Sequence, residues 1–214
     1  MTVENQLTNA YLPKTDYFKF IGDEAFSNCY NLINIDIEGN NKLSDKIEFL
    51  GDRAFGINGF SFNSMQLNLI GLPANLQYLG QSAFYKGGPN INIEVLPETI
   101  NVLEDWCLAG CDNVNISIFG TEQPGVGLTT IKNGALNNSG KKVEDILLLS
   151  SITTLSADNI SSPGINYAAF ENYAPNLKSF TSAKAASEIL NQEGNPLNSF
   201  ADVGIPEILI TEAY

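Results

Sequence analysis

The chain has 214 residues, 43 % of them hydrophobic and 16 % charged, and its 24 Asp and Glu outnumber 11 Lys and Arg to leave a net charge of -13. So much apolar material and so little charge argue for one folded domain and against a disordered polyelectrolyte, and the acid surplus argues against nucleic acid or anionic lipid as partners. Histidine is absent and there are only three cysteines, so Ser-His-Asp and Cys-His nucleophiles are excluded and no disulfide framework is expected.

Residues 1–20, MTVENQLTNAYLPKTDYFKF, have neither the basic start nor the apolar middle of a signal peptide. No stretch approaches the roughly 20 apolar residues that span a bilayer, so membrane insertion is not expected. From Ile21 the sequence repeats itself: IGDEAF (21–26) returns as LGDRAF (50–55) and LGQSAF (79–84), with weaker copies at Cys107-Leu108, Ala135-Leu136 and Ala169-Phe170. Counted from Ala25 through Ala54, Ala83, Cys107 and Ala135 to Ala169, the steps are 29, 29, 24, 28 and 34 residues. LPANLQYLG (72–80) and LPETINVLE (96–104) align almost letter for letter, and the first unit continues through Cys29, Leu32, Ile35 and Ile37.

One such unit cannot bury its own Phe, Leu and Ile, but stacked copies cover one another. Between the turns, INIDI (33–37), QLNLI (66–70), NINIEV (90–95) and VNISIF (114–119) alternate apolar and polar residues with period two. That is the pattern of a strand with one face inward, and one such strand per rung should lie parallel to the next.

The repeated phrase, best seen in IGDEAFSNCYNLINIDI, LGDRAF, LPANLQYLGQSAFYKG and LPETINVLEDWCLAGC, resembles the BspA-like, treponemal-type leucine-rich repeat. The likeness covers about residues 20 to 180; Asn58 replaces the repeat Cys in the second copy, and the fifth and sixth copies are degraded. It implies an α/β repeat solenoid, a right-handed coil with a parallel concave sheet and irregular caps. It also implies adhesion or protein contact, with no chemistry of the chain's own.

The ends differ from the repeats. Residues 1–20 should cap the first rung. TSAKAASEILNQ (181–192) reads as a short helix with Thr181 or Ser182 as N-cap, stopped by GNP (194–196), and EILITEAY (207–214) as a closing strand. The expected organisation is a single domain over 1–214, with about six repeats in 21–180 between caps at 1–20 and 181–214.

Most chemically suggestive residues have a simpler role. Cys107 and Cys111 take the Ala and Cys positions of the repeat and read as buried fillers, because zinc wants four ligands and the chain has no His. Phe26, Phe55, Phe84 and Phe170 share one rung position and read as a core ladder, leaving Trp106 as a further contact residue. GALNNSGKK (134–142) lacks phosphate-loop spacing and DIEGNNKLSD (36–45) lacks calcium-loop spacing. The triplets at Asn115, Asn137 and Asn159 fit the glycosylation pattern at a frequency chance supplies. No catalytic residue, metal ligand or cofactor is expected.

What packing leaves over is the outward side of the alternating strands: Asn34, Asp36, Asn68, Asn92, Glu94, Asn115, Ser117, Asp145 and Leu147. Such a stripe on a concave face suits hydrogen bonding to an extended protein or glycan ligand, although asparagine ladders also form for stacking alone. The expectation is a non-enzymatic binding or adhesion module, helped by insertion loops such as 56–64 and 119–128. A component of a larger particle, such as a phage virion or tail, is the alternative, and an enzyme a distant third. A cell surface or a virion is the matching location.

Overall fold

The computed structural model describes residues 6–36, 39–58, 63–157 and 167–210. Within them the chain forms strands β1 (Phe20–Ile21), β2 (Phe49–Leu50), β3 (Leu69–Ile70), β4 (Tyr78–Leu79), β5 (Gly88–Ile93) and β6 (Val102–Leu103). It continues with β7 (Cys111–Val114), β8 (Ile118–Phe119), β9 (Thr130–Ile131), β10 (Asp145–Leu148), β11 (Thr154–Leu155) and β12 (Ser179–Ser182).

The strands fall into two series. The Ile/Leu-Gly phrase and its copies supply β1-β2-β4 and β6-β9-β11, whereas the alternating segments supply β3-β5-β7 and β8-β10-β12. Every pair is parallel. In the first series Ile21, Leu50 and Leu79 lie in register, as do Leu103, Ile131 and Leu155, and all six are buried. Each repeat therefore contributes one aliphatic side chain to a continuous internal column, worth roughly 1.5 to 3 kcal/mol per residue when fully covered.

The Ala-Phe position builds a second internal column. Phe26 and Phe55 stack with ring centroids 5.1 Å apart, and Phe55 and Phe84 follow at 5.2 Å and almost parallel. The expected aromatic ladder is thus present through the first three repeats. Leu108, Leu136 and Phe170 continue it as buried residues.

Three expectations need correction. The described residues contain no α-helix, only 3-10 turns at Ala186–Glu188, Phe200–Val203 and Glu207–Leu209, so the α/β class does not hold. After five of the six Ala-Phe positions the chain turns too tightly for a helix: Asn28, Lys86, Gly110, Asn138 and Asn172 all have positive φ two residues beyond the column. The alternating strands also form two sheets instead of one. The chain leaves the first sheet at Val114 and enters the second at Ile118.

The third correction concerns the helix expected at 181–192. Thr181 and Ser182 belong to β12, in register with Leu147 and Leu148, so neither is an N-cap. The 3-10 turn starts instead at Ala185, whose N–H donates to the Glu188 carboxylate at 2.9 Å. Of the expected closing strand, Glu207–Leu209 is 3-10, Ile210 makes a single parallel bridge to Phe180, and residues 211–214 lie outside the described residues. Pro206, at the N-cap of that turn, has no N–H to give a ladder.

At the other end, residues 8–12 run alongside the first repeat. Asn9 bridges Asn34, and the Ala10 N–H donates to the Asn34 carbonyl at 2.8 Å.

Candidate interaction face

Before any residue is assigned to a partner, the polar side chains that hold rungs together must be set aside. The Asp of the Gly-Asp phrase is one of them. Asp23 Oδ1 accepts the Asp52 N–H at 2.9 Å, and Asp52 Oδ1 accepts the Gln81 N–H at 2.9 Å. Asp105 Oδ1 accepts from the Asn133 N–H at 3.0 Å, and the Asn133 carbonyl oxygen of the side chain accepts from the Tyr167 N–H. Burial pushes the Asp105 carboxyl above its ordinary range, with the Asn133 N–H working in the opposite sense.

The cations are spent similarly. Lys19 pairs with Glu48, Arg53 with Glu24, Lys132 with Glu104 and Lys178 with Glu144, in each case one repeat away. Lys14–Asp36, Lys46–Asp16 and Lys141–Asp112 bring the basic residues held in such pairs, among the described residues, to seven. Such exposed pairs contribute little stability individually, but they leave few cations to neutralise the remaining carboxylates.

The thiols are packing residues. Cys29, Cys107 and Cys111 are buried and in no disulfide among the described residues; burial pushes the Cys111 thiol up to about 12 and the Cys107 thiol well above its ordinary value. Among the described residues no group of His, Cys, Asp and Glu could hold a metal ion. In a hollow of about 600 Å³ beside Asp112, Lys141 and Tyr173, the Lys141 ammonium is already closed on Asp112 at 2.8 Å.

The expected polar stripe is only partly available. Asp36 is buried against Lys14 at 2.8 Å, because the N-terminal segment folds back over the first repeat, so its expected outward exposure is not found. Asn34 Nδ2 donates to Asn9 Oδ1 at 2.7 Å, and Asn115 Oδ1 accepts the Lys142 N–H at 3.0 Å. Asp145 accepts from Ser179 Oγ. Asn68 is half-buried, while Asn92 and Glu94 are exposed. Asn92 Nδ2 donates to the Asn90 carbonyl at 3.1 Å.

Ser117 and Leu147 are half-buried, with the Leu147 N–H donating to the Ser117 carbonyl at 2.8 Å. Trp106 is also half-buried. Its ring meets Tyr85 and Tyr167 edge-on, with centroids 6.0 and 4.6 Å away, which makes it part of an aromatic cluster. Asn137 is buried, Asn115 is held as described, and Asn159 lies outside the described residues. Within the loops, residues 59–62 of 56–64 lie outside the description, and Thr121 ties 119–128 to the Gln123 and Val126 carbonyls.

What the sequence reading missed is apolar. Ile70, Val95 and Ile118 are 49 %, 76 % and 56 % exposed, and they lie beside Asn92, Glu94 and Ser117 on the alternating-strand side. Ile70 stands opposite Asn92 in the first sheet, and Ile118 opposite Leu147 in the second. Two hollows of about 450 and 270 Å³ run between them and share Glu94, Val95, Leu96 and Pro97 as lining. Period two alone could have found Ile70, since it follows Gln66 and Asn68 on the outward side. It could not have found Val95 and Ile118, which lie beyond the points where β5 and β7 end.

Parallel strands stacked by like-on-like columns at a repeat of two to three dozen residues define a leucine-rich repeat protein. The sequence model of the BspA type leucine-rich repeat region matches the chain in six copies, over residues 3–56 and 45–166. The chain belongs to that family. No curated protein matches it. Among solved structures, a leucine-rich repeat protein from Bacteroides ovatus is similar at 20 % identity and a TM-score of 0.42, over 85 % of this chain and 53 % of that one. The chain therefore spans about half the length of that protein.

Proposed function

We propose that the chain is a non-enzymatic interaction or adhesion module. It is a single right-handed solenoid capped by its terminal segments, and it holds another protein against the concave side formed by the alternating strands. One observation carries this reading: Ile70, Val95 and Ile118 remain largely exposed in a groove, whereas the columns of Leu50 and Phe55 are covered by their neighbours. Scattered exposed apolar residues are ordinary, but apolar residues gathered in a groove with a polar rim are the anatomy of an interface. Membership of a leucine-rich repeat family supports it, because stacked repeats present extended surfaces used for binding.

In this reading Asn92, Glu94, Ser117 and Leu147 contact the partner, and the side chains of Asn34, Asp36, Asn115 and Asp145 serve the fold. Asn68 lies at the margin and Trp106 outside the contact.

Photo-crosslinking tests it. A benzophenone amino acid replaces Ser117 in the groove, or Thr153, which is exposed beside the first strand series. The expected result is a discrete adduct from position 117 alone, lost when Ile118→Asp is added. Equal adducts from both positions, or adducts untouched by Ile118→Asp, refute the reading.

A further inference from the structure

The groove between Ile70 and Ile118 has a chemistry that selects its occupant. We infer that it takes an extended segment of another protein in which aliphatic side chains are flanked by Lys or Arg. This rests on the face proposed above and adds the class of partner.

Three observations lead there. First, the two hollows adjoin along Glu94 through Pro97, with the exposed Val95 side chain between them. Hollows of about 450 and 270 Å³ opening onto Ile70 and Ile118 receive one or two aliphatic side chains each. A large cofactor would need one deeper cavity, toward the upper end of the roughly 300 to 1,000 Å³ usual for ligand sites.

Second, the charge in the channel has one sign. Glu94 lines both hollows and Glu98 lines one, and neither lining contains a Lys or Arg. Glu94 and Glu98 take part in none of the ion pairs among the described residues, although seven cations elsewhere are so engaged. On a chain of net charge -13 these carboxylates attract a cationic segment and repel an acidic one.

Third, the face beside the apolar residues retains a side-chain acceptor. The Asn92 amide donates to Asn90 within the chain, leaving its oxygen to receive an N–H from an extended backbone. An aliphatic residue set between two cations satisfies all three features at once. A second copy of this chain does not, because its own channel is acidic and most of its cations are paired.

The test uses the purified chain and three labelled peptides of equal length, read by fluorescence anisotropy: alternating Lys and Leu, alternating Glu and Leu, and alternating Lys and Ser. Binding of the Lys-Leu peptide alone is expected. Glu94→Lys with Glu98→Lys should weaken it by about tenfold or more, and raising salt from about 0.05 to about 0.5 M should weaken it further. Ile118→Asp should abolish it. Both glutamates are exposed, so these variants fold, and Glu207→Lys, on the C-terminal turn, should leave binding unchanged.

Equal binding of the Lys-Ser peptide, or no effect of the double charge reversal, overturns the inference. If the Lys-Leu peptide fails while position 117 still captures a protein that Ile118→Asp abolishes, the partner chemistry is wrong and the face is right. If neither depends on Ile118, the face itself is wrong. Dimerisation of the chain alone that Ile118→Asp abolishes would place a second copy in the groove and overturn the inference as well.

Discussion

The Asp52 carboxylate and Gly80 are made for each other. Asp52 Oδ1 accepts the Gln81 N–H at 2.9 Å and the Tyr78 hydroxyl at 3.1 Å, and a Cβ on Gly80 would stand 2.6 Å from that oxygen and from the Asp52 backbone nitrogen. Gly51 stands in the same relation to Asp23. The Gly-Asp phrase therefore couples two neighbours in the stack: the glycine of one repeat leaves room for the aspartate of the repeat before. Gly80→Ala should destabilise the protein by about 1 to 3 kcal/mol, because the clash includes backbone that cannot move away. Asp52→Ala should cost about 1.5 to 3 kcal/mol, the range for hydrogen bonds to a charged group, and Asp52→Asn less, since it keeps an acceptor. Urea unfolding of the three variants checks the order; Asp52→Asn as damaging as Gly80→Ala would contradict it.

Phe55 is enclosed by two rings of its own kind, Phe26 on one side and Phe84 on the other. It is fully buried, whereas Phe26 at the end of the stack is only partly so. Phe55→Ala should cost about 3 to 5 kcal/mol, the range for an aromatic lost from a core that cannot collapse. Phe26→Ala should cost distinctly less, because water already reaches one side of the site. Thermal or urea denaturation distinguishes them, and equal losses would mean that the stack's end is as well covered as its middle.

These two columns explain why so much of the fold is legible in the sequence. Ala54-Phe55 and Leu50-Gly51 recur because parallel stacking places like over like, so a spatial column is also a sequence period. The face is less legible because it is made of exceptions to that period. Asp36 keeps the strand alternation yet is buried, since Lys14 arrives from a segment outside the repeats. Val95 and Ile118 fall just past strand ends, where alternation no longer says which way a side chain points. Residues 181–192 have helix-forming composition, but pairing of β12 with β10 claims Thr181 and Ser182 first, a tertiary contact overriding local propensity.

Tyr78 makes stability depend on alkaline pH. Burial first, then the charge of Asp52 and the hydrogen bond to it, push the Tyr78 hydroxyl up to about 12, while an unfolded chain releases that proton near pH 10. The folded state thus binds the proton more tightly. Its contribution is complete below about pH 10 and is lost as pH rises through about 12. Tyr173 acts in the same sense: burial raises its hydroxyl still further, and it donates to the Ile116 carbonyl at 2.6 Å. The urea midpoint should fall between about pH 10 and 12, and Tyr78→Phe should make that fall shallower without removing it. A Tyr78→Phe curve parallel to the parent's would show that Tyr78 ionises alike in both states.

The turn between strand and Ala-Phe position requires a left-handed residue whichever side chain is there. Glu24, Arg53, Ser82, Trp106 and Gly134 occupy the equivalent place in five successive repeats, with φ of 55°, 51°, 55°, 57° and 56°. An L-residue in that conformation costs about 1 to 2 kcal/mol relative to its right-handed form, part of which a glycine recovers. Ser82→Gly should therefore stabilise the protein by up to about 1 kcal/mol, the gain being trimmed by the extra freedom glycine has when unfolded. Gly134→Ala should act in the opposite direction. It imposes the same strain where none exists now, and its Cβ would lie 3.1 Å from the Trp106 ring, which is wedged against Tyr85 and Tyr167. A loss of about 1 to 3 kcal/mol is expected. In a Trp106→Ala background, which keeps a side chain at the left-handed position 106 but removes the ring, Gly134→Ala should cost the strain alone. If the two glycine changes shift the urea midpoint in the same direction, the shared left-handed turn is not what governs residue choice at this position.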